Sequence, residues 1–118
     1  MALVVLNGPV IAAGESLSSG LDCTSGRLVR LTMPGAWTGA NLSFQISSDG
    51  NFYNDLFSVD GSEIIIPVAP GTAVVVAQLG AALEAIQFLK LRSGSRNYPV
   101  VQPAQRDFAV AVEVAAAR

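Results

Sequence analysis

The chain has 118 residues, of which 51 % are hydrophobic and only 14 % charged, with a formal net charge of −2. Its basic residues are scattered and only one, Lys90, is a lysine, which argues against nucleic-acid binding through phosphate neutralisation. It contains no histidine, so the usual general base, the commonest metal ligand and the central member of a Ser-His-Asp triad are all missing.

This length suits one domain over residues 1–118 and suffices for a two-layer core without disulfides or a structural metal. An average soluble domain is roughly 25 % charged, so this surface is short of charge, as expected either of a tolerant Ser/Asn-rich exterior or of one largely covered by partners. Cys23 is the only cysteine, so no intrachain disulfide can form, and a buried apolar thiol is its expected state. The first residues, MALVVLNGPVIAAG, lack the basic start of a signal peptide, and their apolar run stops after Leu6 at Asn7-Gly8-Pro9. No stretch reaches the roughly 18 apolar residues of a transmembrane helix, so a soluble product made in the cytoplasm is expected.

Turn signals recur along the chain at Gly8-Pro9, Pro34-Gly35, Asp49-Gly50-Asn51, Asp60-Gly61, Pro70-Gly71 and Ser93-Gly94-Ser95. Glycine supplies positive φ and proline presets φ near −65°, so each cluster bends the chain for a physical reason. Short runs rich in Val, Ile, Leu and Phe lie between them, a spacing that predicts an all-β, two-layer antiparallel β-sandwich.

Taken in chain order, residues 27–33 form the first firm strand, with Val29, Leu31 and Met33 inward and Leu28, Arg30 and Thr32 outward. Residues 41–47 alternate cleanly, with Leu42, Phe44 and Ile46 opposed by Ser43 and Gln45. Ile64-Ile65-Ile66, residues 73–77 and residues 86–91 (Gln87 and Lys90 apart) are apolar at every position. A sandwich strand buries one face internally, so the second apolar face of these runs predicts contact with another subunit. The only helix-like stretch, 79–89, contains Gly80 and runs into strand-like sequence, so residues 80–85 are read as one helical turn within a connection. The last firm strand, 107–114, sets Phe108, Val110, Val112 and Val114 against Ala109, Ala111 and Glu113. Segments 1–14 and 115–118 are expected to fray or to reach towards neighbours.

Asp49, Asp55, Asp60 and Glu63 lie close in sequence and could form an acid/base pair, but Asp49-Gly50 and Asp60-Gly61 are explained as turn chemistry. Asp49, Asn51 and Asp55 match only the opening of a calcium loop, without its sixth-position glycine or twelfth-position glutamate. No phosphate loop, dinucleotide fingerprint or nucleophile elbow occurs, and Cys23 has no histidine or second cysteine to activate it. The expectation is a protein that is not an enzyme and holds no cofactor or metal. Trp37, Tyr53, Asp49 and Asn51 are candidate glycan contacts, two aromatics to stack on a sugar and two polar groups to bind it. The competing reading has Trp37 capping the core and Tyr53 packing across a hairpin.

The segments R-L-V-R-L-T-M-P-G-A-W-T-G-A-N-L-S-F-Q-I-S-S-D-G-N-F-Y, from Arg27, and F-L-K-L-R-S-G-S-R-N-Y-P-V-V-Q, from Phe88, resemble a family of small β-sandwich proteins from tailed phages, prophages and gene-transfer-agent-like clusters. The matching features are Met33-Pro34, Ala36-Trp37-Thr38, Leu42-x-Phe44-Gln45, Ser48-Asp49-Gly50 and Leu89-Lys90-Leu91-Arg92-Ser93-Gly94, within a likeness running from Ser16 to Val112. The resemblance implies a jelly-roll-like virion component: a capsid decoration or head-spike protein, or a collar, tail or baseplate accessory. It implies no catalytic residues, and Cys23 departs from the family pattern. Expected partners are further copies of the chain, with a trimer suiting a capsid's local threefold positions, and other virion proteins such as the major capsid protein. Neither nucleic acid nor membrane is among them. Ile65, Val75 and Leu89 are the expected contact residues, unless a one-residue bulge exchanges the faces.

Overall fold

The computed structural model describes residues 2–24, 26–76 and 87–114. These residues are all-β: nine strands form two antiparallel sheets that pack face to face as a β-sandwich. In chain order the strands are β1 (Ala2–Ile11), β2 (Leu21–Asp22), β3 (Arg27–Thr32), β4 (Leu42–Ser47), β5 (Asn54–Asp55), β6 (Ile65–Ile66), β7 (Ala73–Val75), β8 (Phe88–Ser93) and β9 (Arg106–Val114). One sheet has the order β1-β9-β3-β7; the other has the order β2-β8-β4-β5, with β6 also paired to β4.

Alternation in the sequence explains most of the core. Leu42 and Phe44 of β4 and Phe108, Val110 and Val112 of β9 are buried, with Ile46 and Val114 packed against them. The aliphatic triplet also divides by period, Ile64 and Ile66 being buried and Ile65 41 % exposed. Val74 packs on the core while Val75 is exposed.

Three expectations are corrected. In β3 it is Leu28, not Val29, that joins Leu31 and Met33 in the core. The β3–β9 ladder passes from Leu28↔Val112 directly to Arg30↔Ala111, so Val29 is the extra residue of a bulge and the phase changes there. Leu89 is wholly buried rather than available to a neighbour. It lies opposite Ile46 on β4 and Leu21 on β2, and cross-strand partners share a face, which here is the inner one. Finally, Gly8-Pro9 is not a turn between strands: it lies inside β1, where the register with β9 shifts between Asn7 and Val10. Segment 1–14 is therefore largely built into the subunit's own sheet. The anticipated helical turn at 80–85 and the tail 115–118 lie outside the described residues.

Candidate assembly surface

The outer faces of the two sheets differ sharply in chemistry. On the β1-β9-β3-β7 sheet, paired residues line up in lateral rows. Val5 lies opposite Ala111, Ala111 opposite Arg30, and Arg30 opposite Val75. The next row is Asn7, Ala109, Thr32 and Ala73, and on the other side Leu3 and Glu113 lead to Arg27. Leu3 and Val5 are each 61 % exposed and Val75 is 55 % exposed. Ala109 and Ala111 are the small residues of β9 on this face, Arg30 and Thr32 of β3 lie opposite them, and exposed aliphatic side chains stand at the edges at Leu3, Val5 and Val75. At one rim the guanidinium of Arg27 donates to the Glu113 carboxylate at 2.9 Å. Such a face offers shape and apolar area to another protein and little to a small polar ligand.

The opposite outer face, on β4, β5, β6 and β8, is polar and ionic. Arg92 is almost fully buried there: its Nη1 donates to Asp55 at 2.5 Å, its Nη2 to Glu63 at 2.6 Å and its Nε to Ser43 Oγ at 2.9 Å. Arg96 adds its Nε 3.3 Å from the other Asp55 oxygen and lies over the Phe57 ring. Burial pushes the Asp55 carboxyl up, but hydrogen bonds from Arg92 and Gln45 and the two nearby cations outweigh it and hold Asp55 below its ordinary value. Two of the four carboxylates singled out in the sequence are thus brought together, but around a cation that fixes both. Asp49 and Asp60 are turn residues. Asp49 accepts from the amides of Asn51 and Phe52 and from the Ser47 hydroxyl, and Asp60 accepts from the Ser62 amide and the Ser58 hydroxyl. Hydrogen bonding, led by Phe52 for Asp49 and by Ser58 for Asp60, lowers both carboxyls. Among the described residues no group of three His, Cys, Asp or Glu side chains is arranged to hold a metal.

The four candidate glycan contacts do not form a site. Trp37 is buried, its ring edge-on to Phe108 at 5.6 Å and its indole N–H donating to the Ala40 carbonyl at 3.1 Å, so it caps the core. The Lys90 ammonium lies 4.5 Å from the centre of the Tyr53 ring, and the Tyr53 hydroxyl fits where Gly20 has no side chain; a Cβ there would come within 2.6 Å of it. Asn51 is exposed, and Asp49 is occupied by its own turn. Cys23 is buried, and desolvation, helped by Asp22, pushes its thiol up to about 11.

No family model, curated protein or solved structure matches the chain. The functional reading therefore rests on the residues themselves. Of the three contact residues expected from the sequence, Val75 lies on the apolar face and Ile65 is exposed beside the ionic one, while Leu89 belongs to the core. The sequence reading missed Leu3 and Val5, although the uncharged run Ala2-Leu3-Val4-Val5-Leu6 carried the signal, and it missed Arg92, whose role depends on contacts distant in sequence.

A shallow groove of about 230 Å³ lies beside Ile65, lined also by Ala40, Asn41, Gly94, Ser95, Tyr98 and Val100. Gly94 adopts φ +91°, and a side chain there would collide with the Tyr98 carbonyl, so the tight turn presents the Tyr98 ring, which is 80 % exposed.

Proposed function

We propose that this chain is a non-enzymatic structural subunit of a phage-type virion, a capsid decoration or head-spike protein that acts by assembling with protein neighbours. One observation carries this reading: the row Val5–Ala111–Arg30–Val75, an outer sheet face with exposed aliphatic side chains at both edge strands and an alanine and a single arginine between them. Leu3 and Val5, both well exposed on β1, add to the apolar area at one edge of this face, and exposed apolar patches mark surfaces that meet other proteins.

The strand order adds support. With β5 and β6 counted as one broken strand, the strand order is compatible with the expected jelly roll, an architecture used in viral capsid and lectin domains. The motif likeness to phage sandwich proteins, notably Ala36-Trp37-Thr38 and Leu89–Ser93, agrees with this reading. The test is to purify particles from a genome with and without this gene and to add the purified chain back. Saturable binding to the deficient particles is expected; a chain that never enters or binds the particle contradicts the reading.

A glycan-binding role is the second reading, and Tyr98 favours it: an exposed ring beside Asn41 and Ser95 offers stacking and hydrogen bonds together. Binding on a glycan array that disappears in Tyr98→Ala would support it; binding that survives the substitution, or none at all, would oppose it.

A further inference from the structure

We propose that residues 2–7 of β1 are a pairing edge for a second copy of this chain. Two β1 strands meet antiparallel across a two-fold axis and join the two β1-β9-β3-β7 sheets into one. The proposal deepens the assembly reading by naming the surface used, and it rests on that reading only for its biological setting.

β1 is the last strand of its sheet, hydrogen-bonded to β9 on one side. Its other side is closed further along: the Val10 carbonyl accepts from the Ser19 amide at 2.9 Å, and the Val10 amide donates to Ser19 Oγ at 3.1 Å. Before the register shift between Asn7 and Val10, no strand among the described residues pairs with that outer edge. An open edge presents unpaired N–H and C=O groups, and proteins usually blunt one with lysine, proline, a bulge or shortness. Residues 2–7 have neither lysine nor proline, and the irregularity at Gly8-Pro9 comes after them. Six residues at about 3.3 Å each give an edge of about 20 Å, enough for a full antiparallel ladder.

Charge selects the occupant. A strand paired with its own copy about a two-fold sets like charges near one another, and such pairs are unfavourable. Residues 2–11 carry no charge, so self-pairing meets no such opposition, and a charged partner strand finds no opposite charge there. Leu3 and Val5 share the outer face, so the two-fold sets the aliphatic pair of one copy beside that of the other. The Arg27–Glu113 pair at the rim is neutral within each subunit and lies on β3 and β9, behind β1. A six-residue ladder is smaller than the roughly 1,200 Å² at which standard stable interfaces begin, so the dimer is weak and concentration-dependent.

The test is sedimentation equilibrium of the full chain, from low to high micromolar, for the native sequence and for Leu3→Lys, Val5→Lys and Val75→Lys, with thermal unfolding to confirm that each variant folds. Leu3 and Val5 point outward from the subunit, and either lysine variant suffices if the other fails to fold. The native chain should show a dimer that grows with concentration. An edge lysine should raise its dissociation constant at least about tenfold, whereas Val75→Lys should leave it unchanged. A monomer at every concentration, a dimer indifferent to both edge lysines, a dimer lost only in Val75→Lys, or an open series of larger species would each overturn the proposal. Particle add-back separates the two readings. A chain that is always monomeric yet binds particles defeats the edge alone, whereas an edge-dependent dimer without particle affinity supports the edge and defeats the virion role.

Discussion

Val5 and Val75 stand at opposite ends of one lateral row of the outer sheet face, joined through Ala111 and Arg30. They are seventy positions apart in the sequence and carry the same message: an aliphatic side chain left outside the subunit on a sheet whose inner face is already filled. Their placement makes the face continuous from edge strand to edge strand.

Because Val75 stabilises little within the subunit, Val75→Asp should change unfolding free energy by no more than about 0.5 kcal/mol, the usual range for surface substitutions. The same change should strongly weaken particle binding by placing a charge in an apolar contact. Paired urea unfolding and particle add-back check it. A variant that binds normally would remove this end of the face from the interface.

Leu89→Ala should behave in the opposite way. The side chain is fully buried between the sheets, so truncation should destabilise by about 2–5 kcal/mol through lost transfer energy and a residual cavity. Urea unfolding gives the number directly.

Arg92→Met should cost about 3–5 kcal/mol, because it leaves the carboxylates of Asp55 and Glu63 largely buried without their buried cation, with only the exposed Arg96 still beside Asp55. The double variant Asp55→Asn, Glu63→Gln on the Arg92→Met background should recover part of that loss, since no largely buried carboxylate then lacks Arg92 and the remaining Arg96 cation is exposed to water. Thermal unfolding of the series checks both steps.

Acid should act through Asp55. Its carboxyl is depressed in the folded state below the ordinary 3.8, so its contribution to stability is fully present above that value and is lost as pH falls through the lower folded value. Unfolding free energy should therefore fall below about pH 4, and Asp55→Asn should flatten that part of the profile. A profile unchanged by the substitution would show that other carboxylates dominate acid unfolding.

Trp37 and Cys23 report on the core. Trp37 emission should be blue-shifted and indifferent to added glycans, since its ring is packed on Phe108 and its N–H is used by Ala40. Cys23 should react with a thiol reagent only at the rate of unfolding, because it is buried and its thiol is pushed up to about 11.

The period-two pattern of β4 and β9 made the sandwich and much of its core legible in the sequence. Val29 shows where such reading fails: nothing in Arg27-Leu28-Val29-Arg30 marks the bulged residue, because the bulge is a relation between two strands. The burial of Leu89 is legible in its neighbours. Lys90 belongs outside, and its neighbours Leu89 and Leu91 then belong inside. β1 was obscured by Gly8-Pro9, a turn signal that marks an irregularity within a strand. The Arg92 cluster could not be read locally, since Ser43, Asp55 and Glu63 reach it from three separate segments. The polar character of one outer face and the apolar character of the other emerged only once register was known.

High-resolution imaging of the intact particle, with this chain placed in its density, tests the central claim most directly. The account predicts that Leu3, Val5 and Val75 are covered by neighbouring protein. A particle in which that face looks into solvent, or in which the chain has no place, would contradict it.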